Sequence, residues 1–153
     1  MNNNNIQVAT LGGGCFWCTE AVFQEVKGIE KVISGYAGGN VPGEPTYREI
    51  CSGLTGHAEV IEITYDEHIL SYEDIVVIFM TTHDPTTLNS QGPDFGTQYR
   101  SEIFYLSDRQ KEIAESAIKK ANLKLSGNVV TKFSLLKNYC PAEEYHQRYL
   151  EKR

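Results

Sequence analysis

The chain has no apolar run long enough to cross a bilayer. Its longest, Ile75 to Met80, falls far short of the roughly 20 residues a span needs. It has no basic region leading into an apolar one at the N-terminus, so no secretion signal is read and a soluble, cytoplasmic protein is expected. It has no basic stripe: 14 Lys and Arg are scattered among 20 Asp and Glu, for a net charge of −6. Nucleic acid, whose phosphates demand clustered positive charge, is therefore not an expected partner. Internal repeats are missing as well. With 41% apolar and 22% charged residues the composition is that of an ordinary globular chain. At 153 residues it is read as one domain spanning 1–153, with the polar residues 1–5 as a tail, and a monomer is expected.

What is there is punctuated by glycine and proline into segments of clear period. Ile6 to Leu11 reads as a strand, and Gly12-Gly13-Gly14 turns it into a helix over about Phe16 to Val26. A strand is predicted from Glu30 to Tyr36, then a long functional loop from Ala37 to Gly56. Ile61, Ile63 and Tyr65 alternate with polar neighbours in a strand from Glu59 to Tyr65. Ser71 and Asp74 form a capping box for a helix to about Thr81, followed by a loop from His83 to Gly96. A strand over Tyr99 to Leu106, a helix capped by Ser107 and Gln110 to about Leu123, a strand from Val129 to Leu136 and a short helix opening at Pro141 complete the chain. This order predicts an α+β fold, a ferredoxin-like two-layer sandwich with helices packed on a mainly antiparallel mixed sheet. The order of strands in the sheet is not legible.

Four cysteines in a chain without a secretion signal point to catalysis or metal binding more than to structural disulfides. Cys15 stands at a predicted helix N-terminus, where unpaired N–H groups and the helix dipole favour a thiolate by up to about 2 kcal/mol. A pKa drawn toward neutrality is the expectation. Cys18 follows at i+3, where a small distortion of the first turn permits a transient disulfide. Other readings compete. A dinucleotide fingerprint would need glycine where Trp17 stands. A zinc site would need a second cysteine pair, whereas Cys51, His57, Cys140 and His146 are dispersed, so no metal is expected. A general thiol–disulfide oxidoreductase and a zinc-stabilised binding module remain the alternatives, and simple core packing of the pair stays open.

The run Gly14-Cys15-Phe16-Trp17 resembles the A-class peptide methionine sulfoxide reductases, and it is not alone. Gly35-Tyr36-Ala37-Gly38-Gly39, Pro45-Thr46-Tyr47, Cys51-Ser52-Gly53 and Thr55-Gly56-His57-Ala58-Glu59 look like that family's blocks. So do His83-Asp84-Pro85, Asp94 with Gly96-Thr97-Gln98-Tyr99-Arg100-Ser101, and Ala142-Glu143 with Tyr145-His146-Gln147. They occur in family order from about residue 11 to residue 149. The resemblance implies reduction of methionine S-sulfoxide, free or in oxidised proteins, without a bound cofactor and with a thioredoxin-like reductant. It implies Cys15 as nucleophile, Glu59 as acid, Phe16 and Trp17 as the apolar wall for the methionine methyl group, and Tyr47, Asp94 and Tyr99 as the polar side of the pocket.

The chemistry asks for such a set. A sulfoxide sulfur is a poor electrophile until its oxygen is protonated, so an acid must face the thiolate. In an apolar pocket Glu59 would hold its proton more tightly, and the two titrations would be coupled. Taken by itself, Glu59 reads as a solvent-facing strand residue, the tyrosines as ordinary half-buried aromatics, and His57 and His146 as structural hydrogen-bonders. Attack leaves a sulfenic acid on Cys15, which a second thiol must condense with. Cys18 is preferred, Cys140 is the rival and Cys51 is read as core. Here the chain departs from a common family pattern, which has glycine at the position of Cys18 and recycling cysteines beyond the Tyr-His-Gln block. Cys140 lies upstream of that block.

Overall fold

The computed structural model describes residues 5–39, 56–92 and 94–147. The expected loop from Ala37 to Gly56, with Tyr47 and Cys51 in it, lies mostly outside them. Strand β1 (Ile6–Gly12) leads into helix α1 (Phe16–Gln24), then β2 (Ile29–Ala37) and β3 (Ala58–Asp66). Helix α2 (Tyr72–Thr82) is followed by a two-stranded hairpin, β4 (Ser90–Gln91) with β5 (Asp94–Phe95), and a 3₁₀ turn at Thr97–Tyr99. Strand β6 (Glu102–Tyr105), helix α3 (Asp108–Lys124), β7 (Lys132–Leu135), β8 (Cys140–Pro141) and a 3₁₀ turn at Glu144–His146 follow.

The main sheet has the order β7-β6-β1-β3-β2-β8. Its centre, β6-β1-β3-β2, is antiparallel throughout and is the ferredoxin-like arrangement of two interleaved strand-helix-strand units. Among the described strands only β7 lies parallel, beside β6, because α3 supplies the crossover that a parallel neighbour requires. Facing residues in register share a side of the sheet, and Leu11↔Ile61, Ala9↔Ile63, Val32↔Ile63 and Leu11↔Ile103 stack one apolar side. Phe16 and Phe23 of α1, Ile75, Val76 and Phe79 of α2, and Ala114 of α3 close over that side as the principal core. A smaller cluster of Ala37, Ala58, Val60 and Phe104 sits on the other.

Local chemistry sets the helix starts. Ser71 Oγ accepts from Asp74 N at 3.0 Å while Ser71 N donates to Asp74 Oδ2 at 3.2 Å, the reciprocal capping box that was expected. Ser107 Oγ accepts from Gln110 N at 3.2 Å, and the Gln110 amide then donates to Val8 O at 2.8 Å, pinning α3 to β1.

Four elements differ from expectation, the first being the strand expected from Tyr99, which begins only at Glu102 because Tyr99 closes a 3₁₀ turn. The predicted C-terminal helix is instead a strand residue pair and a 3₁₀ turn: Pro141 pairs with Gly35 on the sheet edge, where its missing N–H leaves no ladder bond unmade. The loop after α2 contains the β4–β5 hairpin, organised by side chains of its own. Asp84 Oδ1 accepts from Thr86 N at 2.9 Å, and Asp84 N donates to Gln91 Oε1 at 2.9 Å. The strand expected from Val129 begins only at Lys132, because Val130 N is turned toward Pro85 O at 2.8 Å.

Candidate active site

The site forms where β1 ends, β2 ends and β3 begins. Coming off β1, the chain passes too close to its neighbours for any side chain. A Cβ on Gly13 would lie 2.7 Å from Phe79 Cε1 of α2, and one on Gly14 would lie 2.8 Å from Gln91 Cγ of the hairpin. Gly14 also takes φ +90°, open to glycine at little cost. These constraints deliver Cys15 to the N-cap of α1 in an extended conformation, φ −66° and ψ 124°, with its carbonyl accepting from Cys18 N at 3.1 Å. A cap residue of this geometry directs its side chain at the unpaired N–H groups of the first turn.

Glu59 rises from the start of β3 to meet it. Glu59 shares the face of Ile61, Ile63 and Tyr65 and is only 1% exposed. Its Oε1 accepts from the N–H of Phe16 at 3.1 Å, while Oε2, also buried, has no hydrogen-bond partner among the described residues. A carboxyl oxygen in that condition favours carrying a proton. Burial accordingly pushes the Glu59 pKa up to about 8, the Phe16 N–H opposing and the charge of Asp94 adding to it. At neutral pH Glu59 is an acid.

Cys15 behaves otherwise than its place on a helix suggested. Burial, first, and the charge of Glu59, second, push its thiol up to about 12, and the N–H groups of Trp17 and Cys18 pull it down only in part. The helix-terminus effect is present but outweighed, since desolvation acts on the whole charge and the dipole supplies about half of one. The free protein therefore holds a thiol beside a carboxylic acid.

Phe16 is buried behind the cysteine, its ring 5.6 Å from Tyr36 and 5.2 Å from His146. Trp17 is partly exposed, and its Nε1–H donates to His146 Nδ1 at 3.1 Å with the two rings 5.5 Å apart. Below them, Tyr36 OH donates to Glu143 Oε1 at 2.9 Å. Sequence reasoning left His146 as a structural residue. The 129-residue separation between it and Trp17 carries no local signal of their contact.

The comparisons with known proteins bear on what this geometry does. A family model described as peptide methionine sulfoxide reductase matches residues 7–153. The chain belongs to that family. It is 67% identical over 148 residues to the peptide methionine sulfoxide reductase MsrA of Pelagibacter ubique (strain HTCC1062), covering 97% of this chain and all of that one. The reduced crystal form of Mxr1 from Saccharomyces cerevisiae superposes with a TM-score of 0.94 at 35% identity, over 99% of this chain and 88% of that one. A further structure, Mxr1 in complex with Trx2, shares the fold at a TM-score of 0.70 and 24% identity, over 97% and 87% of the two chains.

Against the family's site, the structure brings Cys15, Phe16, Trp17 and Glu59 together, with Asp94 near enough for its charge to bear on Glu59. Tyr99 is half-buried in the 3₁₀ turn just after the Asp94 hairpin. Tyr47 and Cys51 lie outside the described residues. His57 is buried, its Nδ1 accepting from Gly39 N at 3.1 Å, as a structural role requires. Cys15, Cys18 and Cys140 stand in different settings. Cys18 is exposed, in the same helical turn as Cys15. Cys140 is 4% exposed, paired across the sheet edge with Tyr36 and packed into the main core. No helix among the described residues is long and apolar enough to cross a membrane.

Proposed function

We propose that this protein reduces methionine S-sulfoxide, free or within proteins, with Cys15 as nucleophile, Glu59 as acid and Cys18 as the resolving thiol. The observation that carries the reading is a buried carboxyl, protonated at neutral pH, hydrogen-bonded to the residue next to a helix-capping cysteine. A sulfoxide seated with its methyl group against Trp17 and Phe16 points its oxygen at that acid, with Asp94 and the phenols of Tyr47 and Tyr99 completing the polar side. Cys15 Sγ attacks the sulfoxide sulfur as Glu59 gives its proton to the oxygen. The oxygen ends on Cys15 as a sulfenic acid, the thioether leaves, and the thiol's proton replaces the one Glu59 gave.

Cys18 then attacks Cys15 Sγ; a disulfide forms and hydroxide departs with the Cys18 proton as water. Exposure and a place in the first turn of α1 favour Cys18, whereas the buried Cys140 would have to leave the core first. A thioredoxin-like dithiol reduces the disulfide, as the Mxr1 complex with Trx2 suggests by analogy. The protein is read as a cytoplasmic, single-domain monomer. Turnover of an S-sulfoxide with dithiothreitol should vanish in Cys15→Ser, and activity surviving that change would refute the reading. Mass spectrometry of non-reduced peptides after one equivalent of sulfoxide should show Cys15–Cys18, and a Cys15–Cys140 bridge appearing first would reassign the resolving step.

A further inference from the structure

Trp17 sits in the first turn of a helix with one side toward solvent, a position from which an indole ordinarily samples more than one rotamer. Here it is held from outside the helix. His146 Nδ1 accepts its N–H at 3.1 Å, and the imidazole packs against both the Trp17 and Phe16 rings, at 5.5 and 5.2 Å. An imidazole that accepts at Nδ1 is neutral and carries its proton on Nε2. That second nitrogen faces Glu143 Oε1 at 3.9 Å, the oxygen that also accepts from Tyr36 OH.

The turn bearing His146 is itself fixed to the sheet. Gln147 Oε1 accepts from Ser34 N at 2.9 Å, and its amide donates to Ser34 O at 2.9 Å and to Ala142 O at 3.0 Å, as a strand neighbour would. His146 N donates to Glu143 O at 2.9 Å. Tyr145 packs on the imidazole, with centroids 4.2 Å apart. The imidazole is therefore a rigid bracket between the edge of β2 and the first turn of α1.

We propose that His146, neutral and protonated on Nε2, is a positioning residue: it fixes the Trp17 indole as the wall against which the substrate methyl group is bound. This rests on the pocket described above, and its distinguishing readouts do not depend on turnover. Trp17 is the chain's one tryptophan, so its indole N–H gives a single cross-peak and its emission reports on this site alone. In the unaltered protein that N–H should exchange far more slowly than in the unfolded chain. Free exchange would overturn the proposal whatever the fate of any variant.

His146→Phe keeps an aromatic ring against Trp17 and Phe16 but removes the acceptor, and it should shift the Trp17 emission. Losing one neutral hydrogen bond corresponds to roughly a three- to tenfold rise in KM, with a smaller change in kcat because a fixed wall acts on bound substrate and transition state alike. His146→Asn returns an amide oxygen near the place of Nδ1 without the ring. It should recover most of the loss in KM and in emission. An unchanged KM in His146→Phe, or an Asn variant no better than the Phe variant, would show that ring packing and not the hydrogen bond is what matters. Failure of Cys15→Ser to abolish turnover would sink the functional reading yet leave the indole measurements standing.

Discussion

Replacing Glu59 with glutamine tests the acid directly, and the structure sets the size of two separate effects. Glutamine is nearly isosteric, and its carbonyl oxygen can still accept from Phe16 N–H, so the fold is expected to persist. It cannot give up a proton. Loss of a positioned general acid lowers the chemical step by on the order of 10² to 10⁴, read as the single-turnover rate of sulfoxide reduction without recycling reductant. The second effect is on stability. Raising the carboxyl from its ordinary 4.5 to about 8 in the fold is worth about 5 kcal/mol, at about 1.4 kcal/mol per tenfold in proton affinity. Since the folded pKa is the higher one, this contribution is fully present below pH 4.5 and is lost progressively as pH rises through 8. Urea unfolding at intervals from pH 5 to pH 9 should show the unaltered protein weakening relative to Glu59→Gln by several kcal/mol across that window, then running parallel above it. The single-turnover rate of the unaltered protein should fall as pH rises through about 8, a decline that the variant lacks. Parallel stability curves from pH 5 to 9, or a single-turnover rate in the variant equal to the original, would refute the assignment.

Gly14→Ala forces a Cβ into φ +90° and against Gln91, and such strain costs on the order of 1–3 kcal/mol in urea unfolding. Because the displaced residue is the one before Cys15, the single-turnover rate should fall as well, by up to about 10²-fold for a shift near 1 Å; a rate left intact would mean that the hairpin contact does not set the cysteine. Ser71→Ala removes half of the capping box at the other end of α2 and should cost about 1 kcal/mol. Its turnover should be unchanged, since α2 meets the site only at its C-terminal end, through Phe79; reduced turnover at full folding would contradict that layout.

The elements with strong period or strong caps were legible in the sequence because what decides them is local. Ser71 with Asp74 and the alternation through Ile61, Ile63 and Tyr65 needed no partner to be recognised. Pro141 and the residues after it were misread because their conformation is imposed from elsewhere: the free edge of β2 and the Gln147 side chain bonded to Ser34 give the segment strand neighbours that no helix propensity reveals. The same long-range placement hid His146. Its indole partner is 129 positions away, and only the closed sheet brings the two within 3.1 Å.

Glu59 was legible in part, in a way that bears on how the site works. Read as one residue it looks solvent-facing, yet its position is in phase with Ile61, Ile63 and Tyr65, so the period that predicts the strand also puts the carboxyl on the core side. A strand cannot turn one residue outward without a bulge, and the register from Tyr36↔Glu59 to Ser34↔Ile61 has none. Glu59 is therefore held in the core by the apolar residues in phase with it, and burial there is what keeps its proton on at neutral pH. The same burial raises Cys15, so in the proposed mechanism the environment that prepares the acid also keeps the nucleophile a thiol until substrate arrives. In the mechanism proposed above, a sulfoxide oxygen entering between the two would take the acid's proton and leave a carboxylate able to receive the proton of Cys15. On the proposed roles the nucleophile would thus be released by the substrate, with no reactive thiolate left standing in the empty pocket.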